Sequence, residues 1–139
     1  MVEQPSGRRS SNGIGAVRPA RILLLEDDGR LRQMLCEGLQ EEGFEVTPAA
    51  DGVEALALVG IRGPFDLLLL DDEVPWLTGR QLLRLLRVTG LRTAAVFYSG
   101  DLELTGAEQA ALGVSAVLSK PLLLSELAAA IRRAIAQTM

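Results

Sequence analysis

Side chains that can bind a cation or handle a phosphoryl group end several short apolar runs of this chain. They are Glu26, Asp27, Asp71, Ser99 and Lys120. In an open parallel sheet the carboxyl ends of the strands meet at one edge, and such proteins build their binding sites there. Three carboxylates, a hydroxyl and an ammonium would then converge. Such a set suits the binding of a divalent cation and the transfer of a phosphoryl group.

The acids Glu26, Asp27 and Asp71 predict a metal site if the first and third strands are neighbours. Like charges about 4 Å apart repel by about 4 kcal/mol at an effective dielectric of 20. The cluster therefore needs a cation or a proton to offset it. Carboxylate oxygens with room for water suit Mg²⁺ or Mn²⁺. The alternative, that acids after strands only cap helices, explains one such residue better than three beside Lys120.

Strand-like and helix-like segments alternate from Arg21 onward and must position these side chains. Continuous apolar runs are typical of buried parallel strands, whereas the segments between them repeat apolar residues at helical spacing. Asp28 and Thr105 are predicted N-caps, and Glu108 completes a capping box with Thr105. Strands separated by helices predict an α/β fold of five βα units with helices on both faces of the sheet. The second helix is predicted to turn Val53, Leu56 and Ala57 inward.

Length and composition limit the class of protein. The 139 residues, 48% of them hydrophobic, suffice for one compact core. No apolar stretch approaches the roughly 20 residues that span a bilayer, and the first residues lack the apolar core of a signal peptide, so a cytoplasmic location is expected. Residues 1–19 are predicted to be a disordered leader and residues 20–138 the folded domain. Beyond residue 20 there are eleven basic and seventeen acidic residues, which argues against direct binding of nucleic acid.

The candidate site residues belong to a longer sequence pattern, which has four parts. They are Glu26-Asp27, Asp71 with Pro75 and Gly79, Ser99-Gly100, and Lys120-Pro121. In this order, on these elements, the pattern resembles the receiver domain of bacterial two-component response regulators over nearly all of residues 20–137. The resemblance implies a flavodoxin-like, doubly wound parallel sheet with strand order 2-1-3-4-5. Each motif is weak alone, and their order makes the resemblance specific.

The resemblance implies that Asp71 receives a phosphoryl group from a histidine kinase or a phosphotransfer protein. Asp27 and Asp71 would ligate Mg²⁺ or Mn²⁺ together with the backbone carbonyl of Glu73, and Glu26 would act mainly through a metal-bound water. Lys120 would pair with the phosphoryl group, or with the unmodified Asp71.

Further features implied by the resemblance concern the switch. Ser99 would move to hydrogen-bond a phosphoryl oxygen. Pro75, Gly79 and Pro121 would be structural, with a cis bond before Pro121. The protein would be a phosphorylatable switch and not a turnover enzyme. Its fourth helix, fifth strand and fifth helix would engage an unknown downstream protein or a second copy in a homodimer, with no role at membranes.

The sequence departs from the family pattern at Val117, where the family usually has Tyr or Phe. Valine cannot swing a large ring between two environments, so the usual coupling from Ser99 lacks its moving ring. Val117 leaves one alternative open, a degenerate pseudo-receiver that binds proteins independently of phosphorylation, although the intact Asp27, Asp71 and Lys120 disfavour it. A second alternative is a metal-dependent enzyme of the Toprim type, which Glu26, Asp71 and Glu73 imitate loosely. The lysine-proline motif and the acidic composition favour the receiver.

Overall fold

The computed structural model describes residues 18–138, whose strands and helices alternate along the chain. The strands are β1 (Arg21–Leu25), β2 (Glu45–Ala49), β3 (Leu67–Leu70), β4 (Ala94–Ser99) and β5 (Val114–Ser119). The helices are α1 (Gly29–Glu41), α2 (Gly52–Arg62), α3 (Gly79–Val88), α4 (Gly106–Leu112) and α5 (Leu124–Gln137). All strand pairs are parallel and the order is β2-β1-β3-β4-β5. The predicted doubly wound α/β fold and its strand order are confirmed.

Helices cover both faces of the sheet, and each face has its own apolar cluster. On one face α1 and α5 pack against the sheet through residues such as Leu39 and Ile131. On the other, α2, α3 and α4 contribute residues such as Leu82 and Leu112. Because β1 and β3 are covered on both sides, their continuous leucine runs are buried at every position from residue 22 to 25 and from 67 to 70.

The predicted helix caps are present in the structure. The Asp28 carboxylate accepts hydrogen bonds from the backbone N–H groups of Arg30 and Leu31 at the start of α1. Thr105 and Glu108 form the predicted capping box of α4. These side chains satisfy N–H groups that the first turn of a helix leaves without a partner.

The prediction for the inner face of α2 is wrong. Val53 is 57% exposed, Leu56 is 38% exposed and Ala57 is also exposed, whereas Gly52 and Ala55 are buried. The reason lies at Gly52, where an added Cβ would come within 2.0 Å of the Leu77 carbonyl oxygen. This close approach turns the glycine side of the helix toward the domain, and spacing alone cannot reveal it.

Only the last two residues of the predicted leader are described. Residues 1–17 of the predicted leader lie outside the described residues, and Arg18 donates two hydrogen bonds to the Asp66 carboxylate at 3.2 and 3.3 Å. Within residues 18–138, no helix combines the length and the apolar character needed to cross a membrane.

Candidate functional site

The sheet brings the predicted site residues to one edge. Leu25 of β1 lies beside Leu70 of β3, so Glu26 and Asp71 follow neighbouring strands. The Asp71 N–H donates to the Leu25 carbonyl at 3.0 Å, which extends the ladder by one residue. Ser99 ends β4, and Lys120 follows Ser119 at the end of β5. The topology therefore places carboxylates, a hydroxyl and an ammonium around Asp71.

Asp71 is 5% exposed, and both of its carboxylate oxygens accept hydrogen bonds. Oδ1 accepts from the Ser99 hydroxyl at 2.8 Å and from the Glu73 backbone N–H at 3.0 Å. Oδ2 accepts from Lys120 Nζ at 2.8 Å. Three donors thus fix the plane of this carboxylate, and one of them carries a full positive charge.

Lys120 bridges two buried carboxylates. Its Nζ donates to Glu26 Oε1 at 2.7 Å as well as to Asp71, and Glu26 is only 2% exposed. The other Glu26 oxygen, Oε2, accepts from the Asp28 backbone N–H at 3.1 Å. The resemblance implied the pairing of Lys120 with Asp71, but the bond from Lys120 to Glu26 was not predicted. Opposite charges at the ends of strands on one edge were the available signal.

Burial and ion pairing act against each other on these two side chains. Burial raises the pKa of Glu26 above its usual value, and the hydrogen bond from Lys120 only partly opposes this. For Lys120, burial by itself lowers the pKa, but hydrogen bonds to Asp71 and Glu26 outweigh it and raise the pKa above its ordinary range. The ammonium therefore stays charged at neutral pH.

The acidic cluster fits a divalent cation. Glu26, Asp27 and Asp71 each offer one carboxylate oxygen, and these three atoms lie within 4.8 Å of one another. When all are ionised, Lys120 offsets one of their three negative charges, so two remain. Asp27 is exposed, which leaves one side of the cluster open to water. All-oxygen donors with solvent access are the ligands that Mg²⁺ prefers. The contribution of the Glu73 carbonyl stays a prediction.

Gly79 lets α3 begin directly against Asp71. An added Cβ at this position would lie 2.5 Å from the Asp71 carbonyl oxygen and 3.0 Å from Cε1 of Phe97. Only a residue without a side chain fits between the two. The predicted structural role of Gly79 thus has a physical cause: its contact sets the start of α3 on the backbone of Asp71.

The neighbouring acid, Asp72, has a structural role that the sequence did not reveal. Its carboxylate accepts from the Arg80 backbone N–H at 2.9 Å and pairs with the Arg80 guanidinium at 3.3 Å. Asp72 is 7% exposed and is directed at the first turn of α3. This acid therefore anchors the helix, and its charge has a partner of its own.

The loop between Asp71 and α3 is exposed at its tip. Pro75 is exposed, and its carbonyl accepts from the Leu77 N–H at 2.9 Å. Trp76 is 82% exposed and has a φ of 72°. This is the left-handed backbone conformation, which residues other than glycine rarely adopt. Trp76 therefore stands in solvent on a strained backbone.

The residues around Lys120 link the site to the core. The peptide bond between Lys120 and Pro121 is cis. The Lys120 N–H donates to the Ser99 carbonyl at 3.0 Å, and the Leu122 N–H donates to the Tyr98 hydroxyl at 3.3 Å. Tyr98 is 6% exposed, as expected for a core residue.

Val117 packs on the α2–α4 face of the sheet, beside Phe97 of β4. Tyr98 belongs to the cluster on the opposite face. The tyrosine next to Ser99 is therefore on the wrong side of the sheet to replace a ring at position 117.

The chain belongs to the response regulator receiver domain family, whose model matches residues 22–132. It is similar in structure to the receiver domain of the Francisella response regulator 1452, with a TM-score of 0.77 and 29% identity over 86% of this chain and 99% of that one. It is also similar to the Vibrio cholerae chemotaxis protein CheY4, with a TM-score of 0.76 and 29% identity over 84% of this chain and 98% of that chain.

Curated relatives are longer than this chain. The transcriptional regulatory protein TrcR of Mycobacterium tuberculosis is 33% identical over 115 residues, which are 82% of this chain and 44% of TrcR. The response regulator MprA of a Mycobacterium species is 43% identical over 72 residues, which are 52% of this chain and 31% of MprA. The chain thus spans about half or less of the length of these relatives.

Proposed function

We propose that this receiver domain accepts a phosphoryl group on Asp71 from a histidine kinase or a phosphotransfer protein and then changes a protein-binding surface. One observation carries the proposal: the buried Asp71 carboxylate accepts bonds from Ser99 and Lys120 beside two further carboxylates. An aspartate is a competent nucleophile when its environment orients it and offsets the charge of the donor.

In the proposed transfer, an oxygen of the Asp71 carboxylate forms a bond to phosphorus as the phosphorus–nitrogen bond of the donor's phosphohistidine breaks. Lys120 follows the developing charge by exchanging its bond to Asp71 for one to a phosphoryl oxygen. The Ser99 hydroxyl, now donating to Asp71 Oδ1 at 2.8 Å, would turn to donate to another phosphoryl oxygen.

Glu26, Asp27 and Asp71 would hold Mg²⁺, together with the Glu73 carbonyl. When bound, the cation offsets charge on phosphoryl oxygens during transfer. Glu26 would contribute mainly through a metal-bound water, while its carboxylate keeps its hydrogen bonds from Lys120 and the Asp28 N–H.

We propose that the chain catalyses only its own phosphorylation and dephosphorylation. The acyl phosphate would shift a two-state equilibrium by the difference in free energy of its contacts in the two states. The surface formed by α4, β5 and α5 would then bind a downstream protein or a second copy of the domain. The longer relatives fit this reading, because a receiver in them accompanies further sequence.

The proposal is tested by intact-mass spectrometry after incubation with Mg²⁺ and a phosphodonor. We expect one added phosphoryl group, released by hydroxylamine as an acyl phosphate should be, and no addition in Asp71→Asn. Glu37→Gln removes an exposed acid on α1, away from the site, and should keep the labelling. Labelling that persists in Asp71→Asn would refute the assignment.

The second candidate, a binding module that works without phosphorylation, is favoured by Val117 alone. It predicts a folded protein that takes up no phosphoryl group from any donor, and whose binding to a partner is the same in the wild type and in Asp71→Asn. The mass measurement separates the two candidates directly.

A further inference from the structure

A groove at the opposite edge of the sheet from Asp71 has a different character. In a βα fold the helices run back from the carboxyl edge, so α3 and α4 end at the amino edge. Between their last turns lies a cavity of about 490 Å³, lined on one side by Arg87, Val88 and Arg92 and on the other by residues 110–113. This cavity is called the distal groove below.

The distal groove is basic, although the chain as a whole has a net charge of −4. Residues 79–92 contain four arginines and no acid. Arg80 pairs with Asp72, and Arg84 lies 3.8 Å from Glu108. Among the described residues, no carboxylate lies within 4.0 Å of Arg87 or Arg92. Two positive charges in the groove therefore lack an ionic partner from this part of the chain.

Backbone carbonyls hold these two guanidinium groups in place. Arg87 donates to the carbonyls of Leu112 at 2.7 Å, Leu91 at 3.0 Å and Gly113 at 3.3 Å. Arg92 donates to the Leu91 carbonyl at 3.2 Å and to the Arg87 carbonyl at 3.3 Å. Carbonyls satisfy donors but carry no net charge. The positive charges are thus oriented in advance without being neutralised.

The pKa of Arg87 agrees with this description. Burial lowers it, and the charge of Arg92 lowers it further, so the two cations repel each other. A carboxylate brought into the groove would offset that repulsion.

An apolar ridge of α3 borders the groove. Val88 is 86% exposed and Leu85 is 45% exposed, one helical turn apart. Val88 also lines the two neighbouring cavities, each of about 350 Å³, so the apolar surface continues on both sides of the helix. A contiguous exposed apolar surface beside fixed charges is typical of a protein-binding site.

We propose that the distal groove and the ridge of Leu85 and Val88 dock an acidic amphipathic helix of a partner protein. Its carboxylates would pair with Arg87 and Arg92, and its aliphatic stripe would cover the ridge. A second copy fits less well, because a two-fold interface would set the same arginines against each other. Nucleic acid also fits less well, because phosphates do not cover an aliphatic ridge and the remainder of the chain is acidic.

The test titrates the full ¹⁵N-labelled chain with a synthetic helical peptide of about 14 residues, a length at which isolated helices begin to form. The peptide consists of Glu, Ala and Leu, with the leucines on one face. A control peptide has the same sequence with Lys in place of each Glu. We expect the acidic peptide, but not the lysine peptide, to change the chemical shifts of the backbone amides of Val88, Arg92, Ala111 and Gly113.

Matched variants identify the contacts. Arg92→Gln and Val88→Ser alter exposed side chains and should each weaken binding about fivefold. Arg133→Gln makes the same change as Arg92→Gln, and Ile61→Ser a similar one to Val88→Ser, at exposed sites on α5 and α2; both should leave binding unchanged. Shifts that map elsewhere, equal shifts with the lysine peptide, or equal shifts of the same amides with a short DNA duplex would overturn the proposal. The test uses unphosphorylated protein, so it does not depend on the function proposed for Asp71.

Discussion

Two regions of the domain differ in how firmly burial and hydrogen bonds fix them: the carboxyl edge around Asp71, and the outer flank formed by α4 and β5. At the edge, Glu26, Asp71 and Ser99 are all at most 5% exposed and are linked by hydrogen bonds. On the flank, no residue of β5 is fully buried, and α4 buries only Leu112. β3 lies at the centre of the sheet whereas β5 is its last strand. The groups suited to chemistry are therefore fixed, and the flank retains room to change.

Val117 adds a chemical difference to this difference in packing. The edge contains every residue type of the family pattern, whereas the flank lacks the aromatic ring that the pattern has three residues before the lysine. Valine on β5 packs beside Phe97 but has no polar tip that could move into a new hydrogen bond. The proposed acceptor and the proposed responding surface can therefore be disrupted separately.

The largest expected effect is at the edge. Gly79→Ala would push a methyl group into the Asp71 carbonyl oxygen, and we expect a loss of about 2–3 kcal/mol in the free energy of unfolding. Gly60→Ala, in open space within α2, is the matched control and should gain up to about 1 kcal/mol from helix propensity. Urea denaturation measures both, and similar values for the two variants would show that the contact at Asp71 is not tight.

A smaller effect is expected on the flank. Val117→Tyr should lower stability by about 1–2 kcal/mol because it overfills a half-buried position. On addition of Mg²⁺ and beryllofluoride, which mimics a phosphoryl group, we expect amide chemical shifts to change at more residues of α4 and β5 in this variant than in the wild type. Val117→Ile is the aliphatic control and should resemble the wild type. A wild type that already shows the wide response would remove the difference between the two regions.

Exposed acids beside the site should repel small anionic phosphodonors and slow their reaction with Asp71. Glu73 is exposed, and one of its carboxylate oxygens lies 3.8 Å from where a Cβ would stand at Gly100. Asp101 is also exposed. Glu73→Gln with Asp101→Asn should therefore speed labelling by acetyl phosphate about fivefold, which corresponds to about 1 kcal/mol of repulsion. Glu37→Gln with Glu41→Gln makes the same charge change on α1 and should have no effect. Equal labelling of the wild type and the first variant would contradict this.

The smallest effect concerns pH. Because burial raises the pKa of Glu26, its contribution to stability is present below the usual glutamate range and is lost as pH rises through the raised value. Glu26→Gln keeps an oxygen that can accept from Lys120 and removes this titration. Without Mg²⁺, we expect the variant to gain stability relative to the wild type between acidic and neutral pH. Parallel stability curves in urea would contradict the assignment to Glu26.

Local signals predicted much of the fold. The start of α1 at Asp28 and the capping box of α4 follow from short-range hydrogen bonding, which the sequence displays directly. The convergence of Asp71, Ser99 and Lys120 followed from the rule that strands of a parallel sheet end at one edge. These predictions needed no knowledge of how helices pack.

Predictions that required tertiary packing were less successful. Helical spacing placed Val53 and Leu56 on one face of α2 but could not show that this face is only partly covered. The bond from Lys120 to Glu26 depends on side-chain directions. The pairing of Asp72 with Arg80 depends on how closely α3 approaches β3, which Gly79 permits. Each case is a contact between elements, and no local pattern encodes it.

The hydroxyl of Tyr98 has a consequence for kinetics. It accepts a hydrogen bond from the Leu122 N–H, and the Lys120 backbone N–H donates to the Ser99 carbonyl. The backbone is therefore held by a hydrogen bond on each side of Pro121. The ammonium of Lys120 can then change partners only by rotating its own flexible carbon chain. Side-chain rotations need no rearrangement of helices, which is a slower class of motion. We therefore expect the lysine to respond to a change at Asp71 without a rearrangement of the backbone around Pro121.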